Sequence, residues 1–191
     1  DVAGADLAAD TSFDATVTGA DAAGNPFTAT TTSTHTVDLM ASAGIVVNNI
    51  TADDVLNAAE ASGFIAVTGS VSGDAGPGDL VSFTINGTDY SGTVRADYTF
   101  SIDVAGADLA AQTSFDATVT GDDAAGNSFM ATTTSTHTVD GVASAGIVVN
   151  NITDDDVLNA AESGQTIAVT GSVSGDAGPG DLVSFTINGT D

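Results

Sequence analysis

The stretch Leu80-Val81-Ser82-Phe83-Thr84-Ile85-Asn86-Gly87-Thr88-Asp89-Tyr90 decides the fold. Val81, Phe83 and Ile85 alternate with polar residues, the period of a strand with one buried face. Asn86-Gly87 follows at once, the strongest short signal for a two-residue hairpin loop, and residues 90–94 supply the returning strand. Outward from this hairpin the same alternation recurs. Ile65, Val67, Gly69 and Val71 share a face upstream, with Ile45 to Ile50 before them. Tyr98, Phe100 and Ile102 alternate downstream, then Phe115, Ala117 and Val119 after a connection over 105–113. A long Thr-rich strand is expected from Phe129 to Val139. Seven short strands separated by Gly, Asn and Asp turns within about 100 residues predict an all-β, immunoglobulin-like antiparallel sandwich. With no Cys or Trp, the antibody landmarks are missing. Few aromatics beside many Ala, Val and Thr predict a thin core and modest stability.

The hairpin itself returns: residues 80–89 recur as 182–191, and the whole of 1–89 recurs as 103–191 at an offset of 102. Eleven of the 89 paired positions differ, leaving 78 identical with no gap. A period of this length matches an independently folding domain rather than a solenoid turn, so the chain reads as tandem immunoglobulin-like domains strung as beads. A complete repeat spans 41–142. Residues 1–40 supply the C-terminal part of a preceding repeat, and 143–191 the N-terminal part of a following one. Two explanations stand: an excerpt of a longer array, which is favoured, or terminal halves completed by neighbouring molecules. A chain that begins at Asp1, without signal peptide, lipidation motif or transmembrane run, agrees with an excerpt.

One basic residue, Arg95, faces 26 acidic ones, giving a formal charge of -25. Nucleic acid and anionic membrane surfaces are excluded as partners, and no apolar run supports membrane insertion. Of the acidic residues 24 are Asp and only Glu60 and Glu162 are Glu. Loops that chelate a hard cation favour the short Asp side chain, although Asp is also a good turn residue. Absence of Cys removes disulfides and thiolate metal sites.

The most distinctive acidic turn is Thr51-Ala52-Asp53-Asp54-Val55-Leu56-Asn57-Ala58-Ala59-Glu60, repeated at 153–162 with Asp154 in place of Ala52. Calcium takes roughly 6 to 8 oxygen ligands, so Asp53, Asp54, Asn57 and Glu60 are suitable donors, as are Asp154, Asp155, Asp156, Asn159 and Glu162. The pattern is not an EF-hand. A purely structural reading is a helical turn capped by Thr51 or Asp53 with Leu56 tucked inward; the two are compatible. Strand alternation places this turn at the downstream end of the repeat, near Asp140 and the linker. The loop containing Asp74 and Asp79 and the turn containing Asp122, Asp123 and Asn127 fall at the upstream end. In an array these two ends meet, and their carboxylates would repel until a divalent cation joined them.

The run from Asn49 to Glu60, with Val67-Thr68-Gly69, Asp21-Ala22-Ala23-Gly24-Asn25 and Thr36-Val37-Asp38, resembles the immunoglobulin-like extender repeats of giant RTX-type bacterial adhesins, ice-binding and biofilm-associated ones among them. The resemblance covers essentially the entire chain. It implies an extracellular, calcium-dependent stalk on the bacterial surface, holding a distal ligand-binding domain away from the cell, with neighbouring repeats of the same polypeptide as its partners. By that resemblance Asp38 and Asp140 of the linkers, the acidic turns, and the Asp-Ala-Ala-Gly-Asn turns with Asp21, Asn25, Asp123 and Asn127 are the Ca²⁺ places. Arg95-Ala96-Asp97-Tyr98 departs from the pattern, since such repeats carry an acidic residue and an Asp-Gly hairpin there.

Other features are weaker. His35 and His137 read as packed or surface residues rather than ligands. The Thr-rich runs suggest an alternative, an ice- or glycan-binding sandwich module using Thr132 and Thr134, but Thr is also a good strand residue. No nucleophile elbow or phosphate loop is present, so the chain reads as no enzyme.

Overall fold

A computed structural model of the chain describes residues 1–189; Thr190 and Asp191, the last two residues of the 143–191 segment, lie outside the described residues. The elements run α1 (Gly4–Ala9), β1 (Ser12–Ala20), β2 (Pro26–Thr34), β3 (Ala43–Val47), β4 (Val55–Asn57), α2 (Ala58–Ala61), β5 (Phe64–Gly73), β6 (Leu80–Ile85) and β7 (Thr88–Thr93). They continue as β8 (Thr99–Ala105), α3 (Gly106–Ala111), β9 (Ser114–Asp122), β10 (Ser128–Thr136), β11 (Thr138–Asp140), β12 (Ala145–Val149) and β13 (Gly171–Gly175). The chain divides into two compact units, Asp1–Leu56 with Glu60–Val139, and Asn57–Ala59 with Asp140–Asp191.

The first unit holds a β-sandwich of seven main strands. One sheet has the order β3-β5-β8 and the other β10-β9-β6-β7, and the pairings within both are antiparallel. Inward residues of the two sheets make a single core, with Val67, Val71, Phe100 and Val104 on one side and Val81, Phe83, Phe115 and Val119 on the other. The Phe83 and Phe115 rings lie 5.2 Å apart, an ordinary aromatic contact distance. Gly69 continues the buried row because the Phe100 ring occupies the space a side chain would need. Antibody constant domains set four strands against three by placing the fourth beside the first sheet. Here β7 stays with β6, because Asn86 (φ 51°) and Gly87 (φ 77°) form a loop with both central residues left-handed, which ties the two strands together.

The seven expected strands are therefore present, with several boundaries corrected. The first stops at Val47 rather than Ile50, because residues 48–50 lead into the acidic turn. Tyr98 is not on a strand: it sits at φ 63° in a turn closed by its N–H to the Arg95 carbonyl and is half exposed. The 105–113 connection contains a helix, α3. The long final strand is broken at His137 into β10 and β11: the His137 N–H still reaches the Thr113 carbonyl in line with the β9 register, and Thr138 then turns to the Asp54 carbonyl, so that β11 pairs with β4.

The terminal segments form less. In the first unit, β1 and β2 make a nine-pair hairpin in the same register as β9 and β10. In the second unit, among the described residues, β12 and β13 form the one paired set of strands. Residues 182–187 are identical to β6 yet contain no strand.

Candidate functional site

The acidic turn at 51–57 is built from its own side chains. Asp54 adopts φ 61° and its carboxylate accepts the Ile50 N–H at 2.9 Å. The Asp53 carboxylate accepts the Thr51 hydroxyl at 3.0 Å and the Val55 N–H at 3.2 Å. These are Asx-type closures that a short acidic side chain makes with its neighbouring backbone. Leu56, 1% exposed, anchors the turn in the core. The helical turn expected over this stretch instead comes later, as α2, with the Asn57 side chain accepting the Ala59 N–H. The Asp54 carbonyl accepts both the N–H and the hydroxyl of Thr138. The turn thus lies against the last strand, at the end expected from strand alternation.

In the second unit Asp155 and Asp156 repeat these bonds, while Asp154 is exposed. Asn159 and Glu162 close a reciprocal capping box: the Glu162 carboxylate accepts the Asn159 N–H, and the Asn159 side chain accepts the Glu162 N–H.

At the upstream end, the Asp123 carboxylate accepts the N–H groups of Ala125 and Asn127 and the Asn127 side-chain amide. That amide also donates to the Asp38 carbonyl at 3.2 Å, which fastens the linker to this turn. Asp122 accepts the Ser128 hydroxyl. Asp79 accepts the Gly76 N–H and lies against Gly121. Asp74 accepts the Ser42 N–H at 2.7 Å and returns its own N–H to the Ser42 carbonyl. Asp21 with Asn25 repeats the Asp123 turn, and Asp176 with Ser144 repeats the Asp74 clasp. The linker carboxylates Asp38 and Asp140 accept the N–H groups of Met40 and Val142.

These bonds favour the ionised forms. Donation from the Asn25 and Asn127 amides, with their backbone N–H groups, holds the Asp21 and Asp123 carboxyls below the usual carboxylate range. The Val55 and Val157 N–H groups, then the Thr51 and Thr153 hydroxyls, do the same for Asp53 and Asp155. The turns are thus anionic at neutral pH and rich in oxygen donors, a set suited to a hard cation and poorly suited to a soft one. Among the described residues no three His, Asp or Glu side chains stand close enough together to hold an ion by themselves. A cation at these turns would draw further on backbone carbonyls, water, or donors from an adjoining repeat.

Two features escape sequence reading. Asp108 on α3 accepts the Tyr90 hydroxyl at 2.6 Å and the Asn86 amide at 3.0 Å, fastening the helix to the hairpin loop. This lowers the Asp108 pKa and raises that of Tyr90. The second is the placement of the histidines: His137 is buried with its Nε2 bonded to the Leu109 carbonyl, and His35 repeats this bond with Leu7. The recurrence of the His and Leu pair in both copies was the available signal. The Thr hydroxyls are occupied locally, Thr118 with Thr132 and Thr134 with Asp116.

The class defined by these observations is a tandem of immunoglobulin-like β-sandwich repeats with Asp-rich turns at both ends. No family model and no curated protein matches the chain. Solved structures do. One, described by its role in host cell surface retention of a 1.5-MDa bacterial ice-binding adhesin, is 50% identical, covering 93% of this chain and 58% of its own, with TM-score 0.87. Another, a Ca²⁺-stabilised adhesin with which an Antarctic bacterium binds ice, is 56% identical over 92% of this chain and 43% of its own, with TM-score 0.65. A bacterial immunoglobulin-like domain of the Marinomonas primoryensis ice-binding adhesin is 52% identical over 54% of this chain and all of its own, with TM-score 0.49. The chain belongs to the immunoglobulin-like extender repeats of large bacterial adhesins. It spans 58% and 43% of the length of the first two structures.

Proposed function

We propose that this chain is a calcium-rigidified extender segment of a bacterial cell-surface adhesin, which projects a distal ligand-binding domain away from the cell. The observation that carries this reading is the tandem repetition of a sandwich whose oxygen-rich turns gather at its two ends. Linking such units end to end gains reach with each copy, and joining their acidic ends through a cation stiffens the joint. The Ca²⁺-stabilised relative supports calcium as the ion. Its donors are Asp53, Asp54, Asn57, Glu60 and Asp140 at the downstream end and Asp38, Asp74, Asp79, Asp122, Asp123 and Asn127 at the upstream end. Asp21, Asn25, Asp154, Asp155, Asp156, Asn159 and Glu162 are their counterparts in the flanking copies. The segment acts outside the cell, its working partners are the adjoining repeats, and it has no catalytic role.

The test is thermal unfolding of the 191-residue chain in calcium, in magnesium and in chelator. Calcium is expected to raise the melting temperature and magnesium to do so far less, with the gain reduced in Asp53→Ala and Asp140→Ala. Equal melting in all three conditions would overturn the proposal.

A further inference from the structure

The loop that joins β6 to β7 carries a reactive pair. Asn86 and Gly87 are both exposed, and nothing stands within 4 Å of where a side chain on Gly87 would begin. An Asn followed by Gly is open to ring closure, because no side chain shields the main-chain nitrogen of the second residue from the amide carbon of the first. Two bonds hold Asn86 away from that reaction. Its side-chain Nδ2 donates to Asp108 Oδ1 at 3.0 Å, and its main-chain N–H donates to Gln112 Oε1 at 2.8 Å. Asp108 is itself fixed by the Tyr90 hydroxyl at 2.6 Å. For the Asn86 amide carbon to swing onto the Gly87 nitrogen, the bond to Asp108 must first break.

We propose that Asn86 is a site of spontaneous deamidation and that Asp108 is the residue that restrains it. In this reaction the Gly87 main-chain nitrogen gives its proton to solvent and bonds to Asn86 Cγ. The Cγ–Nδ2 bond breaks, and the nitrogen leaves as ammonia with a proton taken from water. Water then opens the resulting succinimide at either carbonyl, leaving Asp or isoaspartate. One water is consumed and one ammonia released, with no change of oxidation state. Asp places a carboxylate where the amide had donated to Asp108, turning an attraction into a repulsion between like charges. Isoaspartate adds a main-chain carbon to a two-residue loop whose geometry leaves no room for one. Both products free the loop from α3, and neither reverts to Asn.

The test is incubation of the folded 191-residue chain in mildly alkaline buffer, beside the same chain unfolded in guanidinium. Trypsin then cuts at Arg95 alone, the one Lys or Arg, which separates Asn86 from the Asn188-Gly189 pair, and mass spectrometry with isoaspartate detection locates the change. Conversion at Asn86 is expected to be slower in the folded chain than in the unfolded one. Asp108→Ala, its folding read from cooperative melting and with Asp108→Ser as the alternative, should speed folded-state conversion about tenfold. That is the rate equivalent of one hydrogen bond to an ionised group. Asp108→Asn keeps an acceptor oxygen, and Tyr90→Phe leaves the bond between Asn86 and Asp108 in place, so both should stay close to the unmodified rate. Equal rates in Asp108→Ala and the unmodified chain would refute the assignment. So would a rate in Asp108→Asn or Tyr90→Phe as high as in Asp108→Ala, or a folded chain that converts as fast as the unfolded one.

Discussion

At the residue scale the same few Asp side chains serve two roles. Each one in the Asx-type turns first satisfies neighbouring backbone N–H groups and so shapes its loop. Because Asp21, Asp53, Asp123 and Asp155 are held below the ordinary carboxylate range, their ionised state contributes stability. That contribution is fully present above the unfolded value of about 4 and is lost as pH falls through the folded values. In chelator, the melting temperature should therefore decline on acidification below about pH 4. The decline should be shallower in Asp123→Asn, which keeps an acceptor for Ala125 and Asn127 but does not titrate. Leu56 links such a turn to the core. Being 1% exposed, its replacement by Ala should cost about 2–5 kcal/mol of unfolding free energy, measurable by denaturant titration, and should weaken the calcium response along with it.

At the element scale the repetition provides a comparison of identical sequences in different surroundings. Residues 64–73 form one continuous strand, paired with β3 over 69–73 and with β8 over 64–70. In the second unit the counterpart of the β3 pairing survives as β12 with β13, while residues 166–170, whose partner would be the counterpart of β8, form no strand. The third strand behaves likewise: β6 is flanked by β7 and β9, while among the described residues its copy at 182–187 forms no strand beyond a single bridge at Ile187. The β1–β2 hairpin keeps all nine pairs, because its partner strand is a short turn away. Pairing thus follows the availability of a partner more than β-propensity. Appending the sequence of residues 90–140 after Asp191 should convert 166–170 and 182–187 into protected strands, detectable by amide hydrogen exchange. Protection confined to 145–149 and 171–175 would contradict this.

At the scale of the whole molecule, one cation against 26 acidic residues sets a self-repulsion that bound divalent ions would offset. A site held at a free calcium concentration a hundredfold above its dissociation constant adds about 2.7 kcal/mol. Several such sites would match the total stability of a small domain, about 5–15 kcal/mol, so the calcium-dependent part of melting is expected to be large.

The sequence alone determined the repeat, the all-β sandwich class, the hairpin at Asn86-Gly87, the buried rows, and which end of the repeat each acidic turn occupies. These follow from local periodicity, turn chemistry and the parity of strand reversals, all of which are short-range. It missed the break at His137, the Tyr98 turn, the helix α3, and the bonds that Asp108 makes to Tyr90 and Asn86. The strand break and the Asp108 bonds depend on residues 18 or more positions apart meeting in space, whereas the Tyr98 turn and α3 are closed by bonds between residues three or four positions apart and interrupt an apolar alternation that reads as strand. Tertiary structure alone decided that the Asp38 linker is fastened by Asn127 and that Phe83 is buried while the identical Phe185 is exposed. A side chain's burial is set by what covers it, and that covering element is drawn from elsewhere along the polymer.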